Sequence, residues 1–353
     1  MTKKYDPNAA ANPNSGIFGL PHSFEESSII YIPVPWEATT SYGAGTCLGP
    51  ASIIKASAQM DLFDLDVIDP DTCGLFCMPI DPNIEALNAS ASALAQPIKD
   101  AFGDLSSHPS LKENLKQVNQ KSNELNEWVR NQAESIYHSK KIAALIGGDH
   151  SSPFGAFQAA AKQYGEFGIL HIDAHSDTRN AYMGFEHSHA SIMRNAAQKI
   201  PEIIHFVQVG IRDFCEEEFE FTSKQKNSFT VFYDQSISDH RLAGKSFEAL
   251  AKQIIAPLPQ QVWISLDIDG LDPRYCPHTG TPVPGGLDYS ELIFLIRLLA
   301  KSGKTIIGFD LDEVAPDLKT DQTDEWDANV GMRILYKLSA LTLASQGKAA
   351  WRS

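Results

Sequence analysis

Long apolar runs are missing from this chain. No stretch of its 353 residues approaches the roughly 20 consecutive apolar residues of a membrane-spanning helix. The amino terminus, MTKKYDPNAAANPNSG, is polar and has no apolar signal core. Both absences lead us to expect a cytoplasmic protein with no membrane partner. Cysteine is scarce: there are five, with Cys73 and Cys77 the only close pair, and no zinc-ribbon spacing. A disulfide scaffold is thereby excluded and reduced thiols are expected. Basic residues are outnumbered by acidic ones, 29 against 44, for a formal charge of −15. That balance argues against non-specific nucleic acid binding and suits a small cationic ligand. Nor does any repeat or composition break divide the chain, so residues 1–26 read as a loose arm and 27–353 as a single domain.

What the chain does have is three apolar runs that each end in potential metal ligands. Residues 143–146 lead into Gly147-Gly148-Asp149-His150, 167–172 into Asp173, His175 and Asp177, and 262–266 into Asp267 and Asp269. Side chains alternate faces along a strand, so Asp173, His175 and Asp177 can project the same way, as can Asp267 and Asp269. Two imidazoles and four carboxylates would converge. Oxygen-rich sets with some imidazole favour manganese, with nickel or iron as alternatives. Six ligands exceed what one catalytic metal takes while keeping an open position, so two bridged ions are the simpler expectation. Four Asp charges, two divalent ions and a shared hydroxide leave a formal charge of about −1, which attracts a cationic substrate.

The remaining pattern supplies a frame for these motifs. Residues 29–33 read as the first core strand, followed by a loop rich in Gly and small polar residues (35–46) and a helix opened by Gly49-Pro50. Residues 64–110 show no clear period and are expected to be excursions at the sheet edge. From Leu111, apolar residues at 115, 118, 125, 129 and 136 mark one helical face. Beyond it, strands are predicted at 203–209, 229–233, 262–267 and 305–309, and helices at 153–164, 190–198, 246–255, 289–300 and 325–343. Alternating strands and helices imply an α/β fold with a mostly parallel sheet covered on both faces, and ligands outside the carboxyl ends of its strands.

The GGDH, DAHSD and SLDIDGLDP motifs, in this order, resemble those of the ureohydrolases, the arginase and agmatinase group of binuclear manganese hydrolases, over about residues 29–338. The resemblance implies a three-layer α/β/α fold and hydrolysis of a guanidino C–N bond with release of urea. It places His150, Asp173, Asp177 and Asp267 on one ion and Asp173, His175, Asp267 and Asp269 on the other, with Asp173 and Asp267 bridging the two ions, which activate a shared water. Asp177 thus counts among the catalytic groups, and Asp149 orients rather than binds. Manganese is the first expectation and nickel the second. In Glu186-His187-Ser188-His189-Ala190-Ser191, His189 matches the family's proton-shuttling histidine, with a pKa near neutrality, and His187 is expected at the surface. Glu313, in Asp310-Leu311-Asp312-Glu313-Val314-Ala315-Pro316, matches the glutamate that binds the substrate's guanidinium.

Substrate choice follows from differences within the family. The arginase head-group stretch Ser-Gly-Asn-x-His-Gly is absent at 184–189, and the retained histidine disfavours formimidoylglutamate. What remains resembles the agmatinase branch and the guanidine hydrolases. Trp326, in the stretch 323–329, is expected to close the pocket over a small guanidino cation by cation-π contact. Members of the family commonly form trimers or hexamers, so a homo-oligomer is implied. A single-zinc deacetylase and an inactive metal-binding subunit are the competing expectations.

Overall fold

The computed structural model describes residues 5–12, 15–319 and 325–353. Among them, eight strands form a single sheet: β1 (Ile29–Pro33), β2 (Leu75–Cys77), β3 (Ile142–Ile146), β4 (Phe167–Ile172), β5 (Ile203–Ile211), β6 (Phe229–Tyr233), β7 (Gln261–Asp267) and β8 (Thr305–Asp312). Every pairing is parallel, in the order β2-β1-β3-β8-β7-β4-β5-β6. Parallel neighbours need long crossovers, and ten helices of the described residues supply them. They are α1 (Gly49–Ser57), α2 (Pro82–Asp100), α3 (Leu111–His138), α4 (Phe154–Tyr164), α5 (Ile192–Lys199), α6 (Glu216–Lys224), α7 (Asp234–Leu242), α8 (Phe247–Ile255), α9 (Tyr289–Lys301) and α10 (Trp326–Ser345).

Strand alternation splits the core into two layers. Ile142, Ala144 and Ile146 of β3 and Val262, Ile264 and Leu266 of β7 face a cluster that includes α1, α8, α9 and α10. Ala143, Leu145 and Trp263 face the opposite cluster, built with α2, α3, α4 and α5. A sheet buried on both sides explains why its strands read as continuous apolar runs. The result is the three-layer α/β/α arrangement expected from the sequence.

Three expectations need correction. Residues 64–110 are not merely edge excursions, because they contain the edge strand β2 and the 19-residue helix α2. Asp81 caps that helix by accepting from the Asn83 N–H, and Pro82 sits at its first position. Its buried stripe relies on Ala91 and Ala95 between Ile84 and Ile98, so the apolar period is faint, and Pro97 masks its last turn. Second, part of the arm packs on the core: Ile17, Phe18 and Leu20 are buried, and the Phe18 ring meets Tyr336 edge-on at 5.2 Å. Third, β8 runs three residues beyond its expected end, to Asp312. This last difference matters most, because it places Asp310 and Asp312 on a strand whose end adjoins those of β3 and β7.

Candidate active site and metal centre

Four adjacent central strands, β3, β8, β7 and β4, deliver the site from their carboxyl ends. Close approach at the β3 end requires glycine: a Cβ on Gly147 would lie 1.6 Å from Asp312 Oδ1, and one on Gly148 would lie 2.0 Å from the Trp36 carbonyl. The turn after β4 carries Asp177 at φ +53°, and the turn after β8 carries Glu313 at φ +61°. Both are left-handed positions that a side chain occupies at a cost, held by the surrounding bonds.

All six side chains singled out as metal ligands meet here. His150 Nδ1 lies 3.0 Å from Asp173 Oδ2, 3.2 Å from Asp177 Oδ2 and 3.4 Å from Asp267 Oδ2. His175 Nδ1 lies 3.1 Å from Asp269 Oδ2 and 3.4 Å from Asp173 Oδ1. Asp173 touches both imidazoles and so joins the two halves. The turn after β7 is closed by Asp267, whose Oδ1 accepts from the Asp269 N–H at 2.9 Å.

The hydrogen bonds around His150 test whether this set fits metal. Ser265 gives its one hydroxyl hydrogen to Asp310 Oδ1 at 2.7 Å. It therefore accepts from the His150 Nε2–H at 2.9 Å, which turns Nδ1 toward three carboxylate oxygens, a position that a proton or a metal ion can fill. Such a convergence of lone pairs calls for a cation. Burial alone would depress the His150 imidazole, yet Asp173, Asp177 and Asp267 hold its pKa well above the ordinary value. The carboxylates show the complementary strain. Burial, then Asp269 and Asp173, push Asp267 well up, and burial with Asp173 beside it pushes Asp177 to about 7. The donor set, hard oxygens with two imidazoles, fits a pair of divalent ions.

Several contributors escaped the reading of the sequence. His171, two residues before Asp173 on β4, places Nε2 2.8 Å from Asp173 Oδ2 while its Nδ1 accepts from the Gln208 amide at 3.0 Å. It orients a carboxylate that both imidazoles share. Asp310 accepts from Ser265 and from the Trp263 indole, and Asp312 is fully buried beside Gly147 with neither oxygen hydrogen-bonded among the described residues. Period two backward from Asp173 puts His171 on the same face, and period two pairs Asp310 with Asp312; that they adjoin the site is decided by the order of the strands. The Asp149 carboxylate makes its hydrogen bonds outside the six-residue set. Its carboxylate accepts from Thr39 and Ser151, and Thr39 Oγ1 in turn accepts from the His189 N–H at 3.2 Å.

A narrow cleft lies beside the cluster, lined by Ser41, Tyr42, Gly43, Gly280, His189 and Glu313 among others. Glu313 is fixed from three sides: its N–H donates to the Gly148 carbonyl at 2.7 Å, its Oε1 accepts from the His150 N–H at 3.0 Å, and its carbonyl accepts from Thr279 Oγ1 at 2.8 Å. Burial, then Asp149, raise its pKa well above the usual carboxylate range. His189 lies 3.4 Å from Ser41 Oγ through Nε2. Its pKa is not near neutrality: burial and the neighbouring His175 push it to about 3. His187 is not a surface residue either. It is buried against Phe154 at 5.0 Å, and burial with Lys199 nearby lowers it to about 4. Trp326 is not brought into the cleft lining. It stands 45% exposed at the start of α10, with its indole N–H donating to the Arg274 carbonyl at 2.8 Å. Thr323 and Asp324, from the same sequence stretch, lie outside the described residues.

Comparison with known proteins decides the family. Residues 27–338 match the model of the Arginase family. The chain belongs to the Arginase family. It is accordingly a metal-dependent hydrolase of the ureohydrolase type. The N(1)-aminopropylagmatine ureohydrolase of Synechocystis sp. is 28% identical over 332 residues, 92% of each chain. The agmatinase of Bacillus cereus is 27% identical over 296 residues, covering 83% of this chain and 86% of the relative. Among solved structures, the proclavaminate amidino hydrolase of Streptomyces clavuligerus superposes with a TM-score of 0.69 at 23% identity, over 97% of this chain and 100% of its own. Among the described residues no helix is long and apolar enough to cross a membrane.

Proposed function

We propose that the chain hydrolyses a C–N bond of a small guanidino compound, adding water across it to give urea and an amine, or ammonia when the substrate is guanidine itself. The observation that carries this reading is the His150 Nδ1 facing three carboxylate oxygens beside the buried carboxyl group of Glu313. His150, Asp173, Asp177 and Asp267 hold one divalent ion and Asp173, His175, Asp267 and Asp269 the other, Mn2+ first and Ni2+ as the alternative. Bound there, two such ions supply Lewis acidity and lower the pKa of a water toward neutrality. Glu313 receives the guanidinium of the substrate, whose charge relieves the carboxylate of its burial. Asp177, wedged against His150, completes the acidic wall. His189, lining the cleft with Glu313, is the group placed to pass a proton to the departing nitrogen.

The relatives' names point to agmatine and N(1)-aminopropylagmatine. Against those long amines, the narrowness of the cleft between Ser41, Tyr42, Gly43, His189, Gly280 and Glu313 favours a compact cation such as guanidine, with guanidinobutyrate or agmatine next. Trp326 enters this reading as an outer contact at the α10 start. A trimer or hexamer in the cytoplasm belongs to the same proposal and is checked by light scattering and fractionation. The test of function is urea release from guanidine, agmatine, guanidinobutyrate, N(1)-aminopropylagmatine and arginine by protein loaded separately with manganese and nickel. Guanidine is expected to lead, and efficient turnover of agmatine with none of guanidine would favour the agmatinase reading.

A further inference from the structure

Gly280 and Thr281 line the cleft together with His189 and Glu313, and they end a segment with no strand or helix of its own, residues 274–281. Three contacts tie it to the chemistry. Thr279 Oγ1 holds the Glu313 carbonyl at 2.8 Å, the Gly280 carbonyl accepts from the Gly43 N–H at 2.9 Å, and Thr281 Oγ1 lies 3.5 Å from Asp269 Oδ2. A Cβ on Gly280 would stand 3.1 Å from Glu313 Oε2, so any drift of this segment is felt at the carboxylate. Loops are mobile unless their polar groups are pinned.

The pin is on α10. Asp327, 1% exposed in the first turn of that helix, turns both carboxylate oxygens on His278: Oδ2 accepts from the backbone N–H and Oδ1 from the ring Nδ1–H, each at 2.9 Å. One residue earlier, the Trp326 indole N–H donates to the Arg274 carbonyl. The helix that carries both grips is buried along most of its length, so it is a rigid anchor. A carboxylate taking two donors from one residue fixes both the position and the rotamer of that residue.

We propose that Asp327, acting through His278, is a positioning residue that sets the guanidino-substrate affinity of the cleft without acting on the metal centre. The inference rests on the cleft being the substrate site proposed above. The two hydrogen bonds that join Asp327 to His278 involve none of the six metal-ligand side chains. With the pin removed, the segment spends less time in the arrangement that supports Glu313, and apparent affinity falls by the competent fraction.

The experiment uses manganese-loaded full-length protein with guanidine and agmatine as probes. Asp327→Ala and His278→Ala are expected to raise KM about tenfold with kcat within about twofold, the pattern of lost uniform binding, and with metal content unchanged. His278→Asn offers a side-chain N–H in place of Nδ1–H and is expected to restore KM to within about twofold of wild type. Asp327→Asn, milder than Ala, guards against a variant that fails to fold. Hydrogen exchange on metal-free protein supplies a readout independent of turnover: the His278 amide should exchange faster in Asp327→Ala. Unchanged KM in both alanine variants, no rescue by His278→Asn, or kcat falling together with metal content overturns the proposal. If wild type releases urea from neither probe, the proposed function fails instead, and unchanged His278 exchange in Asp327→Ala then overturns the pin.

Discussion

The two ends of the carboxylate cluster are built differently. At the inner end the His150 side chain is 1% exposed, meets three carboxylates, and has its far nitrogen locked by Ser265 and Asp310. At the outer end the His175 side chain is 23% exposed, meets two carboxylates closely, and turns its other nitrogen toward Asp213, 4.0 Å away and itself mostly exposed. The inner end is closed to solvent, and under the proposed function the partly exposed outer end is the one that substrate reaches. The division puts tight holding and exchange on separate imidazoles while Asp173 serves both.

Removing a shared carboxylate should break the contrast altogether. Asp267→Ala is expected to lose both ions and at least about a thousandfold of activity, since the metal-assisted step disappears with them. Elemental analysis checks it: one firmly held ion surviving in the variant would mean that the two ends do not depend on a common ligand. A graded chelator titration of wild type sharpens the same point, with the ion at the His175 end leaving first.

His189 belongs to the outer end and tests whether its chemistry can be separated from metal binding. His189→Ala should lower turnover about a hundredfold, the usual size of general acid-base assistance, with both ions retained. Metal loss in that variant would put His189 among the ligands.

Much of this arrangement was legible in the residues themselves. The three strand-terminal motifs stood out because apolar runs that end in Asp and His at period two seldom recur three times in one chain for packing reasons alone. What stayed hidden has physical causes. Helix α2 fills its buried stripe with alanines, so its period is faint. Ser265 and His171 lie inside strand-like apolar runs, and their value depends on which neighbour they face. Asp310 and Asp312 required knowing that β8 lies between β3 and β7, a matter of topology that no local pattern contains. The pKa of His189 is likewise set by neighbours distant in sequence, which is why a near-neutral value failed as an expectation.

His187 and His189, two residues apart, extend the comparison to stability. His187 is 6% exposed and lowered to about 4 in the fold, against about 6.5 when unfolded. Between those values the unfolded chain binds the proton and the folded chain does not, so stability rises with pH and is lost as pH falls from about 6.5 to 4. His187→Gln removes that titration. In chelated protein, the urea-unfolding free energy of wild type should fall about 3 kcal/mol more than that of the variant over this range. Parallel pH profiles would show that His187 gains its proton without unfolding.

The smallest expected effect is at Trp326, the outermost of the residues implicated by sequence. A desolvated indole face over the substrate's guanidinium would contribute about 2 kcal/mol, and its removal would cost roughly thirtyfold in kcat/KM for guanidine. The indole is 45% exposed and its N–H is committed to the Arg274 carbonyl, 52 residues away, so water competes for the ring face and its rotamer serves the 274–281 segment. Trp326→Phe keeps an aromatic face and loses that hydrogen bond, whereas Trp326→Ala loses both. Because the bond is one of two grips on the segment, and Asp327 supplies the stronger, both variants are expected within about threefold of wild type in KM for guanidine, a neutral bond at an exposed site contributing about 0.5–1 kcal/mol. A thirtyfold loss in Trp326→Ala that Trp326→Phe largely restores would move the ring onto the substrate and make the outer end of the site an aromatic one.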